Sequence, residues 1–263
     1  DVTTGLYYFN QDIIYDEDRF LLGGAALQNG GGVQDQRTFG AFLNFDFDIT
    51  DSITFTAGGR YTHERKSVVL STLPLNGTPC DVQVDCSRDF QSRESWENFS
   101  PKVGVQWAAT DDINLYGHWA RGFRSGGYNI RNTVVLQNLT PDDFDLVTPG
   151  PFDQERIDSF EIGFKAQPGS KATVNAALYY NKIDDLQREV NIPDDNSVVR
   201  QIIRNTANAT IWGFEVEGQY AVSDNLLLRA SVGHANGEYD RVLFDLNGDS
   251  VINQADLDLD IPR

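Results

Sequence analysis

Apolar and polar residues alternate along most of this chain with a period of two. Phe39, Ala41, Leu43, Phe45 and Phe47 share one face of a stretch whose other face is mostly Gly, Asn and Asp. Ile53, Phe55, Ala57, Gly59 and Tyr61 alternate with Thr54, Thr56, Gly58, Arg60 and Thr62. The same rhythm returns through Val103, Val105 and Trp107, through Phe160, Ile162 and Phe164, and through Trp212, Phe214 and Val216. Successive side chains of a strand point to opposite faces, so this pattern predicts strands that are apolar on one side only. About nine are expected, at 2–15, 37–49, 53–66, 96–109, 113–124, 156–167, 172–189, 199–221 and 226–239.

The expected connections fall into two kinds that alternate. Thr50-Asp51-Ser52, Thr110-Asp111-Asp112, Pro168-Gly169-Ser170 and Ser223-Asp224-Asn225 are tight turns built from turn-forming residues. The others are long, at 17–36, 67–94, 125–155, 190–198 and from 236 onward. A soluble β-sandwich shares the alternation, but three features favour a transmembrane barrel. The strands exceed the usual five or six residues. Short turns stand on one side and long loops on the other. Tyr7, Tyr8, Trp96, Trp107, Trp119, Tyr179, Tyr180 and Tyr239 lie near strand ends, as an interfacial girdle requires. A polar lumen also accommodates Glu161, Lys165, Glu215 and Glu217 on the second face, where the inner face of a sandwich would penalise them.

Composition narrows the class further. The 263 residues carry 21 basic against 39 acidic side chains, a formal net charge of −18. Such a chain repels phosphate backbones and anionic surfaces alike, which excludes nucleic-acid binding and a basic surface anchor. Forty per cent apolar and 11% aromatic residues exclude disorder. Mean hydropathy is −0.40, and apolar runs such as Ala176-Ala177-Leu178-Tyr179-Tyr180 are far shorter than the roughly 20 residues of a membrane helix. A barrel escapes that test, because it hides its apolar face at every second residue.

Several stretches resemble the barrel of TonB-dependent outer-membrane receptors. They include Asn98-Phe99-Ser100-Pro101-Lys102-Val103-Gly104-Val105, Thr110-Asp111-Asp112-Ile113-Asn114-Leu115-Tyr116 and Ala120-Arg121-Gly122-Phe123-Arg124-Ser125-Gly126-Gly127-Tyr128-Asn129. Further matches are Gly58-Gly59-Arg60-Tyr61-Thr62-His63-Glu64, the segment Glu155 to Gly163, and Asn205 to Glu217. The resemblance covers nearly the whole chain in order. It implies a barrel of about 22 strands, an N-terminal plug and a short box that pairs with TonB. Residues 1–263, which open at Asp1 without Met, then read as a partial barrel of middle-to-late strands, with plug, box and other strands outside it.

Asp245, Asn247, Asp249, Asn253 and Asp256 place side-chain oxygens at positions 1, 3, 5, 9 and 12 of a calcium loop, with the Val251 carbonyl at position 7. Residues 245–256 are therefore a candidate calcium-binding insert in the last outer loop. It departs from the pattern at Ser250, where Gly makes the sharp turn, and at Asp256, where a longer Glu binds through both oxygens. Cys80 and Cys86 share one long loop and form a disulfide in an oxidising compartment. Arg121 and Arg124, near the outer end of a strand, are candidate contacts for an anionic ligand, or partners of lumen carboxylates. His63, His118 and His234 have no partner at metal-ligand spacing. Gly122 to Gly126 is not a nucleophile elbow, since the Ser falls one position late. The Gly23-Gly24 and Gly30 to Gly32 runs lack the Lys-Ser/Thr of a phosphate loop, and no catalytic constellation emerges.

The sequence thus implies an all-β, antiparallel, up-and-down transmembrane barrel of the bacterial outer membrane, with short periplasmic turns and long extracellular loops. By resemblance it imports a scarce nutrient, a ferric siderophore above all, with TonB energy delivered through the plug and lipid around the wall. The alternatives are a passive porin-type barrel and a secreted calcium-binding adhesive or dockerin-like module.

Overall fold

Nine strands follow one another in the computed structural model, which describes residues 1–21, 26–71, 80–131, 149–193, 199–242, 251–253 and 255. They are β1 Val2–Leu21, β2 Ala26–Thr50, β3 Ile53–Leu70, β4 Phe90–Thr110, β5 Ile113–Arg124, β6 Glu155–Ala166, β7 Ala172–Pro193, β8 Val199–Ser223 and β9 Leu226–Val242. Each pairs antiparallel with the next, giving one sheet in the order β1 to β9 with no crossover. The tight turns form as their residues dictate. The Thr50 hydroxyl accepts the backbone N–H of Ser52 and Ile53, at 3.3 and 3.0 Å, and Thr110 does the same for Asp112 at 3.3 Å.

Several expected boundaries change. The stretch 17–36 is mostly strand, since β1 runs to Leu21 and β2 begins at Ala26. The interval 190–198 contracts because β7 continues to Pro193 and β8 starts at Val199, while β3 and β4 extend into the interval 67–94. The Gly30 to Gly32 run lies within β2 and serves close strand approach. A Cβ on Gly31 would fall 1.7 Å from the Tyr15 carbonyl oxygen, and one on Gly32 would fall 2.2 Å from Leu70 Cδ2.

Register joins the apolar faces of neighbouring strands into one surface. Val2 opposes Phe45, Phe45 opposes Ala57, and Ala57 opposes Val103. Val103 opposes Trp119, Trp119 opposes Phe160, Phe160 opposes Tyr180, and Tyr180 opposes Trp212. Leu6, Leu43, Phe47, Phe99, Ile162, Leu178 and Val232 on this face are all exposed. An exposed apolar surface that crosses a whole sheet is what hydrocarbon contact requires. This outward face also gives way to charge along β2 to β7. Along β2 Phe39 is followed outward by Arg37 and Asp35, along β3 Tyr61 by His63 and Arg65, and along β4 Phe99 by Glu97. On β5, β6 and β7 the aromatic residues Trp119, Phe160 and Tyr180 give way to Arg121, Asp158 and Lys182. The hydrocarbon band ends at these aromatics, and the strands continue beyond it.

The girdle is drawn from fewer residues than expected. Tyr8, Trp107, Trp119 and Tyr180 share the outward face. Tyr7 and Tyr179 lie on the other face, Tyr7 beneath the Arg60 guanidinium at 5.2 Å and Tyr179 over Gly213. Trp96 is buried on that inward face, where it packs with Val68, Leu70 and Tyr128.

Candidate functional site

The inward face is a polar wall crossed at its outer end by a strap. Low on the wall, Asn175 Nδ2 donates to Glu217 Oε1 at 2.7 Å, and with Thr173, Gln219, Arg229 and Ser231 these residues line an open groove of about 460 Å³. Higher up, the Tyr116 hydroxyl donates to Glu161 at 2.8 Å while its ring stacks on His118. Arg60 reaches across Gly40 towards Tyr7, and a Cβ at Gly40 would meet its Nη2 at 2.9 Å. Glu161, Glu215 and Glu217 thus lie on the lumen side, where polar and charged groups remain hydrated.

The strap is the described part of the β5–β6 connection, residues 125–131 and 149–154. Its two arms pair antiparallel through Gly127 and Phe152, whose backbone groups exchange bonds of 3.1 and 2.9 Å. One arm is fastened to β3. Lys66 Nζ donates to the Ser125 hydroxyl at 3.1 Å and the Gly126 carbonyl at 2.7 Å, and pairs with Glu64 at 3.0 Å. Ser125 and Thr38 both donate to Glu64. Lys66 also lies 5.5 Å from the Trp96 ring centroid. Gly126 leaves no room for a side chain, since a Cβ there would stand 2.3 Å from Trp96 Nε1. Tyr128 donates to Ser92 on β4 at 2.9 Å, and its neighbour Asn129 bonds both the N–H and the carbonyl of Ile203 on β8, at 2.6 and 3.1 Å. Gln187 on β7 donates to the carbonyls of Ser125 and Asp153. Adjacent strap residues therefore tie β4 to β8 across the concave side of the sheet.

The charges of the strap follow from this packing. Glu64 lies above Tyr61, outside the membrane-spanning part of β3. Burial pushes its carboxyl up, but the bonds from Ser125 and Lys66, the Lys66 charge and Thr38 outweigh it and hold the group below its ordinary value. In the strap itself burial raises the Tyr128 hydroxyl, with the bond to Ser92 opposing and the Glu94 charge adding.

The residues singled out from the sequence are dispersed. Arg121 lies on the outward face, where its Nε and Nη2 hold Asp158 at 2.9 and 2.8 Å and Trp119 Nε1 donates to the same carboxylate at 3.0 Å. Its partner is thus a membrane-side carboxylate rather than a lumen one. Arg124 occupies the opposite, inward face, in register with Glu155 and exposed. Cys80 and Cys86 are joined by a disulfide, Cα–Cα 5.0 Å, around a turn in which the Asp81 carbonyl accepts three backbone N–H groups. Of the calcium loop, Asp245, Asn247, Asp249 and Asp256 lie outside the described residues. Asn253 donates to the Val251 carbonyl at 3.1 Å and accepts from the Ala255 N–H at 2.7 Å. Glu64, Lys66, Tyr128, Asn129 and Gln187 went unnoticed as a group, because the bonds between strap and strands join residues 34 to 74 apart. Strand parity carried a partial signal, since Glu64 and Lys66 are even-numbered on a strand whose outward residues are odd.

A sheet with one continuous lipid-facing surface, a polar inner wall and an outer mouth crossed by a strap defines the wall of an outer-membrane β-barrel. The chain belongs to the TonB dependent receptor-like, beta-barrel family, whose description matches residues 1–260. The pesticin receptor of Yersinia enterocolitica is 22% identical over 189 residues, which are 72% of this chain and 24% of that protein. Among solved structures, the ferric yersiniabactin uptake receptor of Yersinia pestis superposes with a TM-score of 0.68 at 19% identity, over 91% of this chain and 32% of that one. The ferric-catecholate import receptor Fiu of E. coli K12 gives 0.63 at 15%, over 92% and 35%, and the copper transporter OprC gives 0.63 at 16%, over 93% and 37%. The chain spans about a quarter of the curated relative's length and about a third of these structures. The likeness to the solved structures establishes the fold; their cargoes are their own.

Proposed function

We propose that this chain supplies wall and outer mouth to a receptor that takes up ferric siderophores through the outer membrane with energy delivered by TonB. The observation that carries this is the pairing of a lipid-facing surface with a polar wall whose mouth is crossed by an anchored strap. A passive pore needs an open lumen, whereas a receptor needs fixed polar groups at its mouth that a bound ligand can meet. Receptors for ferric yersiniabactin and ferric catecholates share the fold. The partners are the TonB complex, acting through a plug, and the siderophore. Calcium held by residues 245–256 would order the last outer loop, because the acidic side chains there repel one another until a cation lies between them.

The test is uptake of radioactive iron by cells that carry the full-length gene and lack their own siderophore receptors, offered a panel of ferric siderophores. Accumulation of at least one chelate, abolished when TonB is deleted, is expected. Uptake that persists without TonB would establish a passive pore instead.

A further inference from the structure

The outward face carries a ladder of charge that the transport reading does not use. Arg121 on β5, Asp158 on β6 and Lys182 on β7 stand in one register row, and Arg156 and Asp184 stand in the next row outward. Asp158 is gripped by both Nε and Nη2 of Arg121. Asp184 takes Arg156 Nη2 at 2.9 Å and Lys182 Nζ at 3.3 Å. The two carboxylates are sunk in the ladder, 14% and 15% exposed, while Arg121, Arg156 and Lys182 remain 34%, 45% and 51% exposed. The acids therefore hold the cations in place, and the cations are what the surroundings meet. Within β5 to β7 three positive groups stand against two negative, on a chain whose total is −18, and Glu238 and Asp240 on β9 lie beyond Thr210 of β8.

Position selects the partner. On the same face of the same strands, Trp119, Phe160 and Tyr180 lie one step deeper, and their rings form a continuous row with centroids 6.5 and 6.4 Å apart. Aromatic residues of this kind mark the boundary between hydrocarbon and headgroups. The cations just beyond them stand where lipid phosphates lie. Their donors are not exhausted, because Arg156 spends one terminal nitrogen on Asp184 and Lys182 spends one of its three protons. Two forked guanidiniums and an ammonium, held apart from one another by carboxylates, match the tetrahedral oxygens of a phosphate. Pre-paired side chains lose less freedom when they close on a ligand than free ones would.

We propose that Arg121, Arg156 and Lys182, positioned by Asp158 and Asp184, form a docking site for the phosphate of a membrane lipid headgroup whose acyl chains lie against Trp119, Phe160 and Tyr180. The site rests on the membrane-facing assignment of β5 to β7 and not on the identity of the cargo, so it and the uptake reading fail separately.

The test uses the full-length receptor in a zwitterionic detergent. Native mass spectrometry counts retained lipid after addition of phosphatidic acid, of diacylglycerol, which has the same chains without phosphate, or of inorganic phosphate. The variant Arg121→Gln, Arg156→Gln, Lys182→Gln, Asp158→Asn, Asp184→Asn removes the ladder without stranding a charge, and heat-modifiable gel mobility checks that it folds. A second variant, Arg121→Lys with Arg156→Lys, keeps the charge and serves should the first not fold. Wild type is expected to retain phosphatidic acid and not diacylglycerol, and inorganic phosphate at millimolar concentration should not displace it. The neutral variant should bind about tenfold to a hundredfold more weakly, and the lysine variant should fall between. Equal retention of phosphatidic acid by wild type and either variant, or equal retention of diacylglycerol and phosphatidic acid by wild type, would overturn the site. Displacement by inorganic phosphate would reduce it to an adventitious anion position.

Discussion

Replacing Leu43 by Arg tests which face of the sheet meets hydrocarbon. Leu43 lies outward on β2, in register with Thr4 on β1 and Gly59 on β3. Four residues separate it from Phe39, beyond which the face turns to Arg37, and six separate it from Ile49 at the periplasmic turn. At about 3.4 Å per residue and a tilt near 40°, Leu43 lies about 10 Å below one boundary and about 15 Å above the other. The sum matches an apolar band of about 25 Å and puts Leu43 close to its middle, where Arg costs about 2–4 kcal/mol. Asn44, the next residue, faces the lumen, and its Nδ2 donates to Asp46 at 3.2 Å. Asn44→Arg loses that bond, worth about 0.5–1.5 kcal/mol net, while placing a cation beside Asp46. Leu43→Arg should therefore cost about 0.5–3.5 kcal/mol more than Asn44→Arg, and Phe214→Arg should exceed Glu215→Gln by a similar margin. Reversible denaturant unfolding of the full-length receptor in lipid vesicles, with gel mobility as a second probe, measures the difference. Equal losses at positions 43 and 44, or at 214 and 215, would mean that the lipid-out assignment is wrong.

Three further outcomes are expected. An epitope tag at Val84, which is 80% exposed in the disulfide-closed turn, should be reached by antibody on intact cells, and one at Asp111 only after the outer membrane is opened; the reverse labelling would invert the topology. Because Glu64 is depressed in the folded state from 4.5, its stabilisation of the strap is complete above that value and is lost as pH falls through the lower folded one. Hydrogen exchange at Ser125 to Gly127, corrected for intrinsic rate, should therefore be steady at pH values above 4.5 and accelerate as pH falls below it, with Glu64→Gln removing the step; an unchanged profile in that variant would exclude Glu64 as the titrating group. Calorimetric titration with calcium should show a site of about 10⁻⁴–10⁻³ M that is absent in Asp245→Ala, Asp249→Ala, and identical heats from the two proteins would leave residues 245–256 a solvated acidic loop.

Much of the fold was legible because the bilayer enforces it. Where β2 crosses hydrocarbon, Phe39 to Phe47 must alternate, and a period of two is then visible in the letters alone. Where the strands emerge from the bilayer, no hydrocarbon enforces an apolar outward face and the alternation lapses. Asp16 to Arg19 on β1 and Gln91 to Glu94 on β4 are strand without any apolar period, so their length could not be read. Aromatic type was a weaker guide than parity. Trp96 has the composition of a girdle residue, but it falls an odd number of positions from Phe99 and therefore points inward. The strap was invisible for a different reason. Ser125 to Asn129 are legible as a motif, whereas Lys66, Ser92, Gln187 and Ile203 become their partners only once the sheet has formed.

The strap also explains why a charge pair is buried at the mouth of a wall that is otherwise wet. Glu64 and Lys66 are 11% and 13% exposed, and an apolar pair of the same volume would spare their desolvation. Position is what the pair supplies. The Lys66 ammonium donates to Ser125, to the Gly126 carbonyl and to Glu64, while Glu64 accepts from Ser125 and Thr38, so the strap is fixed to β3 directly and to β2 through Glu64. Trp96 closes the remaining freedom from one side, since Gly126 can approach it only without a Cβ. An apolar contact is non-directional and would let the strap slide along the wall. A directional, nearly saturated set of bonds holds it at one height, with Asn129 locked on the Ile203 backbone at the far end. The described strap residues are thereby held against β3, β4, β7 and β8, and polar groups stand fixed at the outer mouth.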